Sequence, residues 1–101
     1  MNNTEFIKLI VERSRDFTVN WFEGDNCGVS KDTQNWISSL DEKSKNYLSE
    51  TLTEAVDLSI VKILEIMDGV DINTPIESSH DGIKISGSDC EQLHDKYEDH
   101  I

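Results

Sequence analysis

The last fourteen residues, "SDCEQLHDKYEDHI" from Ser88 to Ile101, hold one cysteine, two histidines and five acids. Cys90 and His94 stand four apart, a spacing that on a helix lets two side chains reach one metal ion. Zinc takes four ligands, or three and a water, and the further donors here would be His80, Cys27 or a carboxylate, in no recognised zinc spacing. The simpler reading makes Cys90 a small apolar residue at a packed position and His94 a boundary residue with one wet edge. A small metal-binding protein or metal-dependent enzyme built on Cys90 and His94 is the alternative function; the first reading has no metal and no cofactor.

Other chemistry is thinner. In "EGDNCGVSKDTQ", Glu23, Asp25 and Gly28 occupy positions one, three and six of a calcium loop, but Cys27 and Gln34 stand where further oxygen ligands belong. "DGVDIN" lacks both the loop glycine and the distal glutamate, so each stretch reads as a helix end or turn. Cys27 or Cys90 could be paired on paper with any histidine as a nucleophile, yet no local signature surrounds either. "GDNCG" is too short for a phosphate loop and is not followed by Lys-Ser/Thr. The chain is expected not to be an enzyme, with no catalytic residues.

The composition points to a surface. Across 101 residues, 21 acids face 9 Lys and Arg, a formal net charge of −12. The imbalance is lopsided: residues 1 to 49 hold eight acids and six bases, residues 50 to 101 thirteen acids and three bases. Such a field repels nucleic-acid phosphates and anionic membranes and suits a basic protein partner. No stretch reaches the ~20 apolar residues of a membrane span, and "MNNTEFIKLIVERSRDF" lacks the basic start and unbroken apolar run of a signal peptide. A cytoplasmic location is expected, with Cys27 and Cys90 as free thiols.

These residues need elements to hold them, and the patterning supplies one mainly helical (α+β) domain over 1–101, with three to four helices and one small C-terminal β-hairpin. A first helix is predicted from about Thr4 to Phe22, capped by Asn3 or Thr4, with Phe6, Ile10, Phe17 and Trp21 on one face. A brief helix around Thr33 to Leu40 follows, capped by Asp32 and presenting Trp36, Ile37 and Leu40. Asp41 caps the longest helix, which stops at Gly69; a break near Leu58-Ser59 is an open alternative. "IESSHDGIKIS" reads as two short strands around an Asp81-Gly82 turn. Ser88 followed by Glu91 has the form of a capping box. The tail beyond it would be an amphipathic helix docking through Cys90, Leu93, His94, Tyr97 and Ile101.

The longest helix carries the most information. Leu48, Leu52, Ala55, Val56, Ile63 and Met67 form its expected core face. At 100° per residue, Glu50, Glu54, Asp57, Glu65 and Asp68 fall within about an 80° sector on the other side. Like charges three or four apart cost roughly 0.2–0.5 kcal/mol per pair on an exposed helix, so the stripe is expected to serve binding and not stability. Leu58, Val61 and Leu64 flank or interrupt it. They are either covered by the hairpin or the last helix, or they form an apolar strip rimmed by acids, as a protein-binding surface would.

Phe6, Ile7, Val11, Glu12 and Arg13, the pair Ser39-Leu40, Glu54, Ala55, Asp57 and Ile60, and Gly82 with Ile83 and Ile85 together give the chain a pattern that resembles a small bacterial family of about 100 residues without an established function. The resemblance covers about Phe6 to Ile85 and implies a bacterial cytosolic helical domain with a hairpin; it brings no catalytic residues, and the tail from Asp89 has no place in it. The expected function is a non-enzymatic acidic interaction module, of inhibitor or immunity type, that covers a basic partner through Glu50, Glu54, Asp57, Leu58, Val61, Leu64, Glu65 and Asp68. A homodimeric accessory protein is the third reading.

Overall fold

The computed structural model describes residues 1–24 and 28–101. Among these it shows the expected mainly helical fold: four helical rods and one two-stranded antiparallel hairpin near the C-terminus. Asp25, Asn26 and Cys27 lie outside the described residues, and with them the calcium reading of that loop, the thiol state of Cys27 and its part in any zinc or nucleophile set.

The first rod is one helix in three parts. α1 (Asn3–Ile10) opens with a capping box in which the Asn2 side chain accepts from the Glu5 N–H and Glu5 Oε2 accepts from the Asn2 N–H. A π-helical segment, Val11–Asp16, leads into α2 (Phe17–Glu23). A π turn winds more residues into each turn and so rotates every later side chain relative to a regular helix. That rotation corrects the predicted face: Phe6 and Ile10 pack on the core, while Phe17 is turned 66% into solvent. The same turn presents Arg15 to the longest helix.

α3 (Lys31–Ser39) is capped by Ser30, whose Oγ accepts from the Thr33 N–H, and not by Asp32 as the sequence suggests. α4 (Glu42–Met67) runs unbroken for 26 residues, through Leu58-Ser59, from the cap Asp41, whose carboxylate accepts from the Ser44 N–H. It ends at Gly69, where φ is +85° and an added Cβ would lie 2.6 Å from the Pro75 nitrogen. Only glycine combines that left-handed backbone with so close a crossing.

The hairpin joins β1 (Ser78–His80) to β2 (Ile83–Ser86) through Asp81 and Gly82, both at positive φ, the geometry of a two-residue primed turn. A bulge shifts the register between Ser78 and Ser79, so that Ile85 and Ser86, neighbours in sequence, are both buried. Buried Ser86 is satisfied, its hydroxyl donating to the Ile76 carbonyl at 2.6 Å.

α5 (Leu93–Asp99) starts four residues later than the Ser88 capping box predicts, its cap position falling at Gln92. Ser88 instead donates its N–H to Glu77, and Glu91 pairs with Lys96. The docking face is accordingly short. Leu93 and Tyr97 are fully buried, Cys90 precedes the helix, and Ile101 lies outside it and is exposed.

The core lies at one end of the molecule, where Ile7, Leu64, Ile85, Leu93 and Tyr97 meet, with Phe6, Val11, Ile60, Val61 and Met67 packed around them. At the other end α2 rests on the first half of α4, with Phe22 as its buried anchor. The result is long, 50 × 27 × 23 Å with a radius of gyration of 16.7 Å; a compact domain of 100 residues has about 13 Å. No described helix is long and apolar enough to cross a membrane.

Candidate interaction surface

α4 decides where each expected surface residue goes, and its second half faces the core with the side that the sequence assigns to binding. Asp57, Ile60, Val61, Leu64 and Asp68 recur at three and four residues, as one helix face must. Leu64 is 1% exposed and sits in the core, and Val61 packs against it half-buried. Leu64 is therefore no part of an exposed apolar strip. The reason is direct: α5 and the hairpin need an apolar floor, and this face supplies it.

Two of the five stripe acids are also taken up internally, which corrects the view that the stripe contributes nothing to stability. Asp57 receives Arg15 Nε at 2.7 Å and the Tyr97 hydroxyl at 2.6 Å, tying the π segment, α4 and α5 together at one carboxylate. Burial and the hydrogen bond to Asp57 both push the Tyr97 phenol well above its usual value, and the same carboxylate raises Arg15.

Asp68, with its side chain 4% exposed, takes both backbone N–H groups at the start of α5, Leu93 at 2.8 Å and His94 at 2.9 Å, and also the His94 ring Nδ1 at 2.6 Å. Gln92 makes no side-chain cap, so a residue 25 positions away from Leu93 performs the capping of α5. Burial works against a charged His94, but the hydrogen bond to Asp68 and the charges of Asp95, Asp68 and Glu65 outweigh it and raise its pKa.

This arrangement also settles the geometry behind the Cys90–His94 pair. Cys90 is not on α5, so the helical i, i+4 relation does not exist, and His94 Nδ1 is engaged by Asp68. Among the described residues, no group of three or more His, Cys, Asp or Glu side chains is placed to hold a metal ion. His80, the other sequence candidate, ends β1 and is exposed, its Nδ1 3.6 Å from Asp81.

Glu50, Glu54 and Leu58 remain on the surface, with Leu58 60% exposed. Glu65 is half-buried and pairs with Lys62 at 3.1 Å. On the helical wheel Leu58 stands between the Glu54–Glu65 edge and the stripe of Leu52, Ala55, Ile63 and Ile66. Sequence periodicity assigns most of that stripe to the core. The structure turns it outward instead: Ile63 is 60% and Ile66 51% exposed. The missed signal was the run Asp57, Ile60, Val61, Leu64, Asp68, whose helical spacing is as regular as that of the rival stripe but whose two carboxylates disguise it as surface.

Comparison of the chain with known protein families, with curated proteins and with solved structures finds no match in any of the three.

Proposed function

We propose that the chain is a non-enzymatic, cytoplasmic acidic interaction module of inhibitor or immunity type, and that the outer edge of α4 meets a basic protein partner. The observation that supports this most is the pairing of exposed Glu50 and Glu54 with exposed Leu58 on one helix edge, in a chain of net charge −12. Acids there steer a cationic surface toward contact, and an exposed leucine beside them supplies dry area once contact is made. Val61 and Glu65, half-buried, border the patch. Asp57, Leu64 and Asp68 belong behind it, holding the helix that displays it.

The internal use of Asp57 fixes which variant tests the proposal. Reversing Asp57 would break the contacts to Arg15 and Tyr97, so the informative change is Glu50→Lys with Glu54→Lys. Proteins captured from lysate of the encoding organism at low and high salt provide the basic candidates, and association kinetics with a purified candidate make the decision. The double reversal should slow association at least about tenfold at low salt while leaving dissociation nearly unchanged. Unchanged association, or capture of acidic proteins alone, overturns the proposal.

A further inference from the structure

The outward stripe of α4 has a different chemistry from the acidic edge. At 100° per residue, Leu48, Leu52, Ala55, Ser59, Ile63 and Ile66 fall within a sector of about 80°. No acid of α4 lies in that sector, and its two borders carry Lys45 and Lys62. Beside it runs a groove of ≈ 330 Å³, floored by Leu52, Ala55, Val56 and Ser59 and walled by Ser14 and Thr18 of the first rod. In so acidic a protein this long apolar face, free of acids, is a place where a second copy can approach without setting carboxylate against carboxylate.

The surface area agrees with an occupant of that size. A compact monomer of this mass exposes about 5,800 Å², whereas this chain of 11.5 kDa exposes 6754 Å². The surplus, roughly 950 Å², belongs to the elongated molecule as a whole, and it leaves room for the ~800 Å² that each partner contributes to a standard interface. We infer that the chain forms a two-fold symmetric homodimer in which the Leu52–Ala55–Ile63–Ile66 faces of two α4 helices pack against each other, antiparallel.

Charge selects the direction. Residues 50 to 101 hold thirteen acids against three bases, and residues 1 to 49 eight against six. The hairpin and α5, both from the acidic half, pack along the second half of α4, between Asp57 and Asp68, and α3 precedes its N-terminal end. With the two-fold at Ser59, the centre of that face, antiparallel packing sets the C-terminal ends of the two α4 helices about 24 Å apart, roughly three Debye lengths at physiological salt. Parallel packing would place them side by side. The antiparallel two-fold, centred on Ser59, brings that residue against its own copy and sets Ala55 opposite the partner's Ile63, so the small side chains let the helices close beneath the bulkier Ile63 and Ile66.

This inference does not rest on the proposed basic partner, and it is tested on the purified chain alone. Sedimentation equilibrium up to about 100 µM should give twice the 11.5 kDa of one chain. Ala55→Glu and, separately, Ile63→Glu place an acid in the stripe and should weaken the dimer at least about thirtyfold, while far-UV circular dichroism spectra keep the parent's helix content because both sites are exposed in the single chain. A third variant, Ser59→Cys with both native cysteines changed to serine, should form an intermolecular disulfide on mild oxidation. A parent that remains monomeric throughout overturns the inference. So does a dimer that neither glutamate variant weakens, and a dimer in which the thiol introduced at position 59 stays reduced overturns the antiparallel register.

Discussion

The two ends of α4 are held by different means. Around its second half, α1, the hairpin and α5 close on Ile7, Leu64, Ile85, Leu93 and Tyr97, and two carboxylates of α4 itself, Asp57 and Asp68, grip α5 from below. Around its first half, α2 contributes Phe22, while Trp36 of α3 and Tyr47 of α4 stay mostly in solvent. One end is thus fixed by apolar burial together with charge-assisted hydrogen bonds, and the other by a thin apolar contact. A seven-residue helix such as α5 is far too short to persist alone; it exists because Asp68 satisfies its first N–H groups and Tyr97 reaches Asp57. α3, of nine residues, has its own cap in Ser30 but, among the described residues, no counterpart of that clamp.

The sharpest way to break this contrast is Asp68→Ala. The change removes a buried acceptor of three hydrogen bonds and leaves two backbone N–H groups and an imidazole without it. It should cost about 3–5 kcal/mol in denaturant unfolding and expose the amides of α5 to rapid hydrogen exchange. A cost below ~1 kcal/mol would mean that α5 is held by Leu93 and Tyr97 alone.

A smaller effect comes from His94. Its pKa is raised in the fold, so the stabilisation from its contact with Asp68 is complete below the ordinary histidine value of about 6.5 and fades as pH rises through the raised value. Melting temperature should fall across that window in the parent, and His94→Gln should flatten this component. Comparing the two proteins at each pH removes the general repulsion among the acids, which both share.

The smallest expected effect lies at the other end. Trp36 is 54% exposed, and Trp36→Ala should change stability by no more than about 0.5 kcal/mol, against the roughly 3–5 kcal/mol typical of a buried tryptophan. A large loss at Trp36 would show that the first half of α4 is as firmly held as the second, and the contrast between the ends would disappear.

The sequence by itself determined the elements whose signals are local. The hairpin follows from Asp81-Gly82, the start of α4 from Asp41, its stop from Gly69, and the first rod from its apolar period, because turn conformations and caps are set by residues within one turn of each other. The packing face of α4 was decided only in three dimensions. Two apolar stripes compete on that helix, and the one with fewer charges looks like the core when each carboxylate is counted as solvent-seeking. Asp57 and Asp68 reverse the choice because Arg15, Tyr97 and the open N-terminus of α5 arrive from 42, 40 and 25 residues away to satisfy them. The π segment escaped for a related reason: its rotation of Phe17 out and Arg15 in is favoured by the carboxylate waiting on α4, and nothing in the first rod's own sequence contains that partner. A buried carboxylate is costly or stabilising according to what meets it, and what meets it is a property of the tertiary structure.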